Sequence, residues 1–161
     1  MTISVGDKIP DVKVQTPTSD GPKAVRTGDV LGQGTVVLFG VPGAFTPTCS
    51  DHHLPGFVLR AEDLMAKGVT TIACTSVNDA FVMGAWGQAH QVRDKVLLLA
   101  DGSADFARAL GLEIDLSGGG LGVRSKRFSA IITDGVVTDV TVEDDGLGLD
   151  KSGAEGVLDK L

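Results

Sequence analysis

The chain has 161 residues but only two cysteines, Cys49 and Cys74, and no Cys-x-x-Cys pair. Two cysteines cannot build the multi-bridge framework of a small secreted fold, and the missing Cys-x-x-Cys argues against a dithiol reductase. Positive charge is also scarce: 14 lysines and arginines stand against 21 aspartates and glutamates, a formal net charge of −7. That sign repels phosphate backbones and anionic headgroups, so neither nucleic acid nor membrane is an expected partner. No apolar run approaches the ~18–20 residues needed to cross a bilayer. The first residues, MTISVGDKIP, lack the cationic flank and apolar stretch of a secretory signal, so a cytoplasmic location is expected. In that reducing compartment a cysteine with chemistry is more often catalytic than structural. No repeat, low-complexity tract or linker interrupts the chain, so one domain over residues 1–161 is expected. LSGGGLGVR (116–124) lacks both the Gly-Lys-Ser/Thr and the following helix of a phosphate loop. Cys49 and His52 offer two ligands at helical spacing, but no second pair completes a zinc site, so no metal and no bound cofactor are expected.

What is present is an alternation of apolar runs and helical stripes. Residues 1–34 read as loop-rich, with a short strand at KVQT (13–16). TVVLFG (35–40) is a continuous apolar run rich in β-branched residues, the pattern of a buried strand; TTIACTSV (70–77) is expected to be the second buried strand and VLLLA (96–100) a third. Between the first two, Leu54, Phe57, Val58, Ala61, Leu64 and Met65 form one helical stripe that Gly68 ends and Pro55 should kink. Asp79 or Asn78 can cap a second helix with an apolar face of Phe81, Ala85, Trp86 and Ala89. Ser103 is expected to cap a short helix through Phe106, Ala107 and Leu110, closed by Gly111. RFSAIIT and VVTDVTVE flank Asp134-Gly135, the signal of a two-residue hairpin. Val157, Leu158 and Leu161 mark a last helix starting near Ser152. The order β-α-β-α-β-α-β-β-α predicts an α/β fold, a mixed central sheet with helices on both faces. That arrangement resembles the thioredoxin-like fold.

VPGAFTPTCS (41–50) lies just beyond the carboxyl end of the first buried strand, where α/β sheets place their sites. Thr46 can be the N-cap of the following helix and Pro47 its first residue, which puts Cys49 in the first turn. Unpaired N–H groups and the positive helix end favour an anion there, and for cysteine the anion is the nucleophilic thiolate. A thiol of ordinary pKa is roughly 3% ionised at pH 7, and lowering its pKa to ~6 requires about 3.4 kcal/mol. A helix end supplies about 0.3–1 kcal/mol, at most ~2. A cation must supply the rest, and spacing alone does not choose among Arg127, Arg124, Lys126, His52 and His53. The plain alternative, a cysteine serving as a small hydrophobe, suits an apolar run better than this polar, backbone-constrained one.

The pattern P-x-x-x-T-x-x-C, here Pro42, Thr46 and Cys49, resembles the active-site signature of peroxiredoxins. LFGVPGAFTPTCSDHHLPGF (38–57) is similar to the fifth, or plant type II, subfamily, as are ACTSVNDAFVMGAWGQAH (73–90), LLLAD (97–101) and RSKRFSAIITDG (124–135). The resemblance implies a thiol-dependent peroxidase that reduces hydrogen peroxide and small alkyl hydroperoxides. Cys49 would be the peroxidatic cysteine, passing through a sulfenic acid. Thr46 would hydrogen-bond peroxide and thiolate, Pro42 would shield the sulfenate, and the family arginine falls on Arg127. The resemblance leaves Arg124 and Lys126 as solvated charges and gives His53 hydrogen bonds within the fold. Cys74 is the candidate resolving cysteine, and the later cysteine of animal members has no counterpart, since Lys151 stands in its neighbourhood. Two routes back to the thiolate stay open: a Cys49–Cys74 disulfide, or an external thiol such as glutathione, glutaredoxin or thioredoxin. The resemblance also implies a homodimer. A peroxide-sensing relay that passes oxidation to a partner protein is the alternative to an enzyme.

Overall fold

The computed structural model describes residues 2–161, with the side chain of Cys49 outside the description. Strands β1 (Lys13–Thr18) and β2 (Gly21–Arg26) form a hairpin, followed by one helical turn, α1 (Thr27–Val30), and by β3 (Thr35–Val41). A π-helical turn, Cys49–His53, runs into α2 (Leu54–Leu59) and α3 (Ala61–Ala66). Then come β4 (Val69–Ser76), α4 (Ala80–Ala89), β5 (Leu97–Ala100), α5 (Asp105–Leu110) and β6 (Glu113–Asp115). A 3-10 turn precedes β7 (Val123–Ser125), and β8 (Phe128–Thr133), β9 (Val136–Val142) and α6 (Ala154–Leu158) finish the chain.

Seven strands form one sheet in the order β2-β1-β5-β4-β3-β8-β9. The central β5, β4 and β3 are parallel, while β8 and β1 flank them antiparallel. This is the mixed sheet expected. Strand alternation sends β3 side chains to two cores: Val37 and Phe39 meet Phe57, Leu64, Met83 and Trp86, while Val36 and Leu38 meet Leu31, Phe106 and Leu110. Each such side chain removed from water contributes about 1.5–3 kcal/mol, so both faces are held firmly. Gly40 pairs with Phe128 across β3 and β8, and a side chain at Gly40 would run into the Phe128 ring.

Several local expectations change. β2 was not expected, because GPKAVR is mostly exposed and shows no apolar alternation. The stripe at 54–65 is not one kinked helix. Pro55 cannot donate to the carbonyl one turn back and crowds it, and the chain widens into the π-turn just before it. A second break falls at Arg60, with φ −99° and ψ 11°. On α4 the buried residues are Ala80, Met83, Trp86 and Gly87, while Phe81 is 75% exposed and Ala85 and Ala89 face solvent. That helix is apolar all round, so its period could not single out the inner face. Asp79, not Asn78, caps it by accepting from Val82 N at 2.8 Å. Ser103 does not cap α5. The Asp101 carboxylate accepts from Phe106 N at 3.0 Å and Ala107 N at 2.8 Å, and burial raises the pKa of that carboxyl. The glycine-rich stretch near 120 is bracketed by a two-stranded sheet of β6 and β7. The Asp134-Gly135 turn forms as expected, with φ +48° and +84°.

Candidate active site

The loop after β3 is fixed from several sides. Asn78 Oδ1 accepts from Ala44 N at 3.0 Å and from Ser76 Oγ at 2.6 Å. Arg124 Nη1 donates to Pro42 O at 3.2 Å, and its Nε donates to Leu121 O at 2.9 Å. Arg124 is thus a clasp on the loop, not the solvated charge expected. Pro42 is buried, and Phe45 turns the chain with φ +65° and stands 54% exposed. Pro47 is the first helical residue, as the sequence predicts. Thr46 precedes it, and its hydroxyl donates to Gly43 O at 2.6 Å. The Thr46 proton is therefore committed to the backbone, and its oxygen is left to accept from another group.

Cys49 opens the π-turn, and the expectation for its sulfur falls outside the described residues. The same turn ends at His53, and His53 meets Arg127. Arg127 is 2% exposed, its Nη1 donates to His53 Nδ1 at 2.8 Å, and its Nε donates to Leu147 O at 2.9 Å. A guanidinium only donates, so His53 Nδ1 is an acceptor and its proton sits on Nε2, which donates to Ser152 O at 3.0 Å. The imidazole is therefore neutral. Burial first, and the Arg127 charge second, push its pKa down to about 3. Rings of Phe39 and Phe57 pack beside it at 4.9 Å and 5.6 Å. His53 thus leaves the list of candidate cations and hydrogen-bonds within the fold, with both ring nitrogens engaged. His52 is exposed. Among the candidates, Arg127 is the buried cation, tied to the helical turn that Cys49 opens.

Ser152 N and Oγ donate to the buried Glu143 carboxylate at 2.7 Å and 2.6 Å. Burial alone would raise that carboxyl. Its hydrogen bonds from Ser152, Lys151 and Asp150 outweigh burial and hold its pKa below the usual carboxylate range. Neither Glu143 nor Ser152 carried a signal in the sequence as a site residue. Cys74 is buried in mid-strand, paired in register with Phe39 on β3 and Leu98 on β5. Ser50, next to Cys49, accepts from Trp86 Nε1 at 3.0 Å, which ties α4 to the π-turn. Among the described residues no group of three or more His, Cys, Asp or Glu could hold a metal ion, and no helix is long and apolar enough to cross a membrane.

The redoxin family profile matches residues 4–158. Peroxiredoxin-2E-2, chloroplastic, of Oryza sativa subsp. japonica is 49% identical over 165 residues, which take in 99% of this chain and 73% of that protein. Peroxiredoxin-2D of Arabidopsis thaliana is 45% identical over 160 residues, with coverage of 99% and 98%. Among solved structures, reduced Prx3 in complex with H2O2 from Vibrio vulnificus superposes with a TM-score of 0.93 at 46% identity and 99% coverage of both chains. A buried arginine bound to the turn of a P-x-x-x-T-x-x-C cysteine, on a mixed sheet of this order, agrees with that kinship: the chain belongs to the redoxin family, among its peroxiredoxins.

Proposed function

We propose that this thiol-dependent peroxidase reacts at Cys49, with Arg127, Thr46 and Pro42 completing the site. The Cys49 thiolate attacks the terminal oxygen of a hydroperoxide in line. The S–O bond forms as the O–O bond breaks, and the departing oxygen takes a proton and leaves as water or an alcohol. The product on the enzyme is a sulfenic acid. Arg127 stabilises the thiolate and the charge that develops on the peroxide oxygens. Thr46, whose proton goes to Gly43 O, accepts from the peroxide O–H. Pro42 walls the pocket and shields the sulfenate. The observation that carries this reading is the buried Arg127 held by His53, the last residue of the turn that Cys49 begins.

The substrates on this reading are hydrogen peroxide and small alkyl hydroperoxides. The reductant is an external thiol: glutathione with glutaredoxin, or thioredoxin. The burial of Cys74 in the middle of β4 supports this route, because a Cys49–Cys74 disulfide would require the π-turn to unwind toward the core. Exposed Phe45 and Phe81 support a homodimer packed beside the active-site loop. The single seven-stranded sheet supports one domain over residues 1–161, and we place the protein in the cytoplasm.

Stopped-flow Trp86 fluorescence against peroxide concentration tests the assignment. Cys49→Ser should abolish the reaction, and a variant as fast as the parent removes Cys49 from it. Mass spectrometry of the peroxide-treated protein should find sulfenic acid or a mixed disulfide on Cys49. An intramolecular Cys49–Cys74 bridge would instead make Cys74 the resolving residue.

A further inference from the structure

Among the described residues, the Arg127 side chain donates to two acceptors, and both trace to one loop. Leu147 O accepts directly from its Nε at 2.9 Å. Ser152 O accepts from His53 Nε2 at 3.0 Å, and His53 Nδ1 accepts from Arg127 Nη1 at 2.8 Å. Residues 147–152 form no helix or strand, so the backbone ladder does not fix them. Glu143 does. Its Oε2 accepts from Asp150 N at 3.1 Å, Lys151 N at 3.0 Å, Ser152 N at 2.7 Å and Ser152 Oγ at 2.6 Å. At the other end of the loop, Asp145 Oδ1 accepts from Leu147 N at 2.9 Å and Gly148 N at 2.8 Å. The Glu143 main chain is tied to the same arginine, because Glu143 N donates to Arg127 O at 3.0 Å. Gly146 N donates to Glu143 O at 2.9 Å, and Arg127 N donates to Gly146 O at 2.7 Å.

Four donors converging on one buried oxygen call for a group that only accepts and carries full charge. A carboxylate does both, and it places a negative charge within the same buried network as the guanidinium, where an uncompensated cation is costly. A loop that needed stability alone could be covered with apolar side chains. This one presents its Leu147 and Ser152 carbonyls to the arginine and its histidine.

We propose that Glu143 is a positioning residue for Arg127: its carboxylate fixes the 147–152 loop, whose Leu147 and Ser152 carbonyls, the second through neutral His53, set the orientation of the guanidinium. This rests on the reading of Arg127 given above. Glu143 never touches the substrate. It acts only through the arginine, so its effect disappears when the arginine is absent.

A double-mutant cycle reads that dependence. Rates with hydrogen peroxide are compared with rates of alkylation by iodoacetamide, a neutral reagent that needs the thiolate but develops no charge on a leaving oxygen. E143Q should slow the peroxide reaction about tenfold where Arg127 is present and less than about twofold in the R127Q background. Its peroxide-to-iodoacetamide rate ratio should fall, whereas general loosening of the Cys49 loop would move both rates together. S152A, which removes one hydroxyl donor and keeps the backbone, should show the same pattern at about two- to threefold, and it decides the matter if E143Q does not fold. An unchanged E143Q rate, or an equal loss in both backgrounds, overturns the proposal. If R127Q itself reacts as fast as the parent protein, the failure lies instead in the role given to the arginine.

Discussion

Thr46 and Arg127 have side-chain protons or charges already committed to neighbours, and that commitment defines what each can do. Because the Thr46 hydroxyl donates to Gly43 O, only its acceptor capacity is left to offer a peroxide. Thr46→Val removes that acceptor and the loop bond together and should lower the second-order rate with hydrogen peroxide by about 10²–10³. Thr46→Ser, which keeps the oxygen, should retain most of the rate, and equal losses in the two variants would show that the hydroxyl has no such task. Arg127→Gln should slow the reaction by at least about a hundredfold, measured by the same fluorescence trace. The motif made Pro42, Thr46 and Cys49 legible in the sequence. The cation was legible only through family resemblance. Spacing left Arg127, Arg124, Lys126, His52 and His53 level, because nothing in a strand-end arginine announces which loop will cover it. Burial and hydrogen bonding separate them: Arg127 is enclosed against His53, Arg124 clasps Pro42, and His53 is uncharged.

The π-turn is the element that the sequence announced least well. A proline in the helical stripe pointed to a kink, but the chain adjusts one turn earlier by widening, and it adjusts again at Arg60. The strands fared better. Apolar and β-branched runs gave β3, β4 and β5 within a residue or so, because a buried parallel strand has one signature and little competition for it. Edge pieces such as β2, exposed and without alternation, have none. The hydrogen bond from Trp86 to Ser50 anchors the π-turn to α4. Ser50→Ala would leave a buried indole N–H without its acceptor, at a cost of about 1–3 kcal/mol. Thermal unfolding should shift down by at least about 2 °C and Trp86 emission should change. An unaltered melting curve would mean that water replaces the serine oxygen at no cost.

Over the whole molecule, the buried network makes stability depend on pH above the ordinary carboxylate range. His53 has a pKa of about 3 in the fold against 6.5 in the unfolded chain. Between those values the unfolded state binds more protons, so stability must fall as pH drops through 6.5 toward 3. Glu143, Asp145 and Asp115 are held low by their hydrogen bonds, so their contribution is present above their unfolded pKa values and is lost only below about pH 4.5. Asp101, raised by burial, works in the opposite direction at the same acidic end. Between pH 6 and 5 the His53 contribution to the slope approaches about 1.4 kcal/mol per pH unit. Urea denaturation at pH 7.5, 6 and 5 should show this slope, and His53→Gln should flatten it even though the variant starts from lower stability. A slope that survives in His53→Gln would place the titrating group elsewhere.

The pairing of Gly40 with Phe128 has a consequence in time. The loop leading to Cys49 begins two residues beyond Gly40, and Arg127 stands one residue before Phe128, so one rung of the sheet sets the spacing of loop and arginine. That rung joins strands from opposite halves of the chain, and contacts so distant in sequence are slow to form. A growing polypeptide therefore exposes Cys49 long before the arginine arrives. If Arg127 activates Cys49 as proposed, the thiol lacks its buried cation until β8 docks and should react with peroxide no faster than an ordinary cysteine. On that reading the nascent chain would be spared the oxidation that its finished form invites.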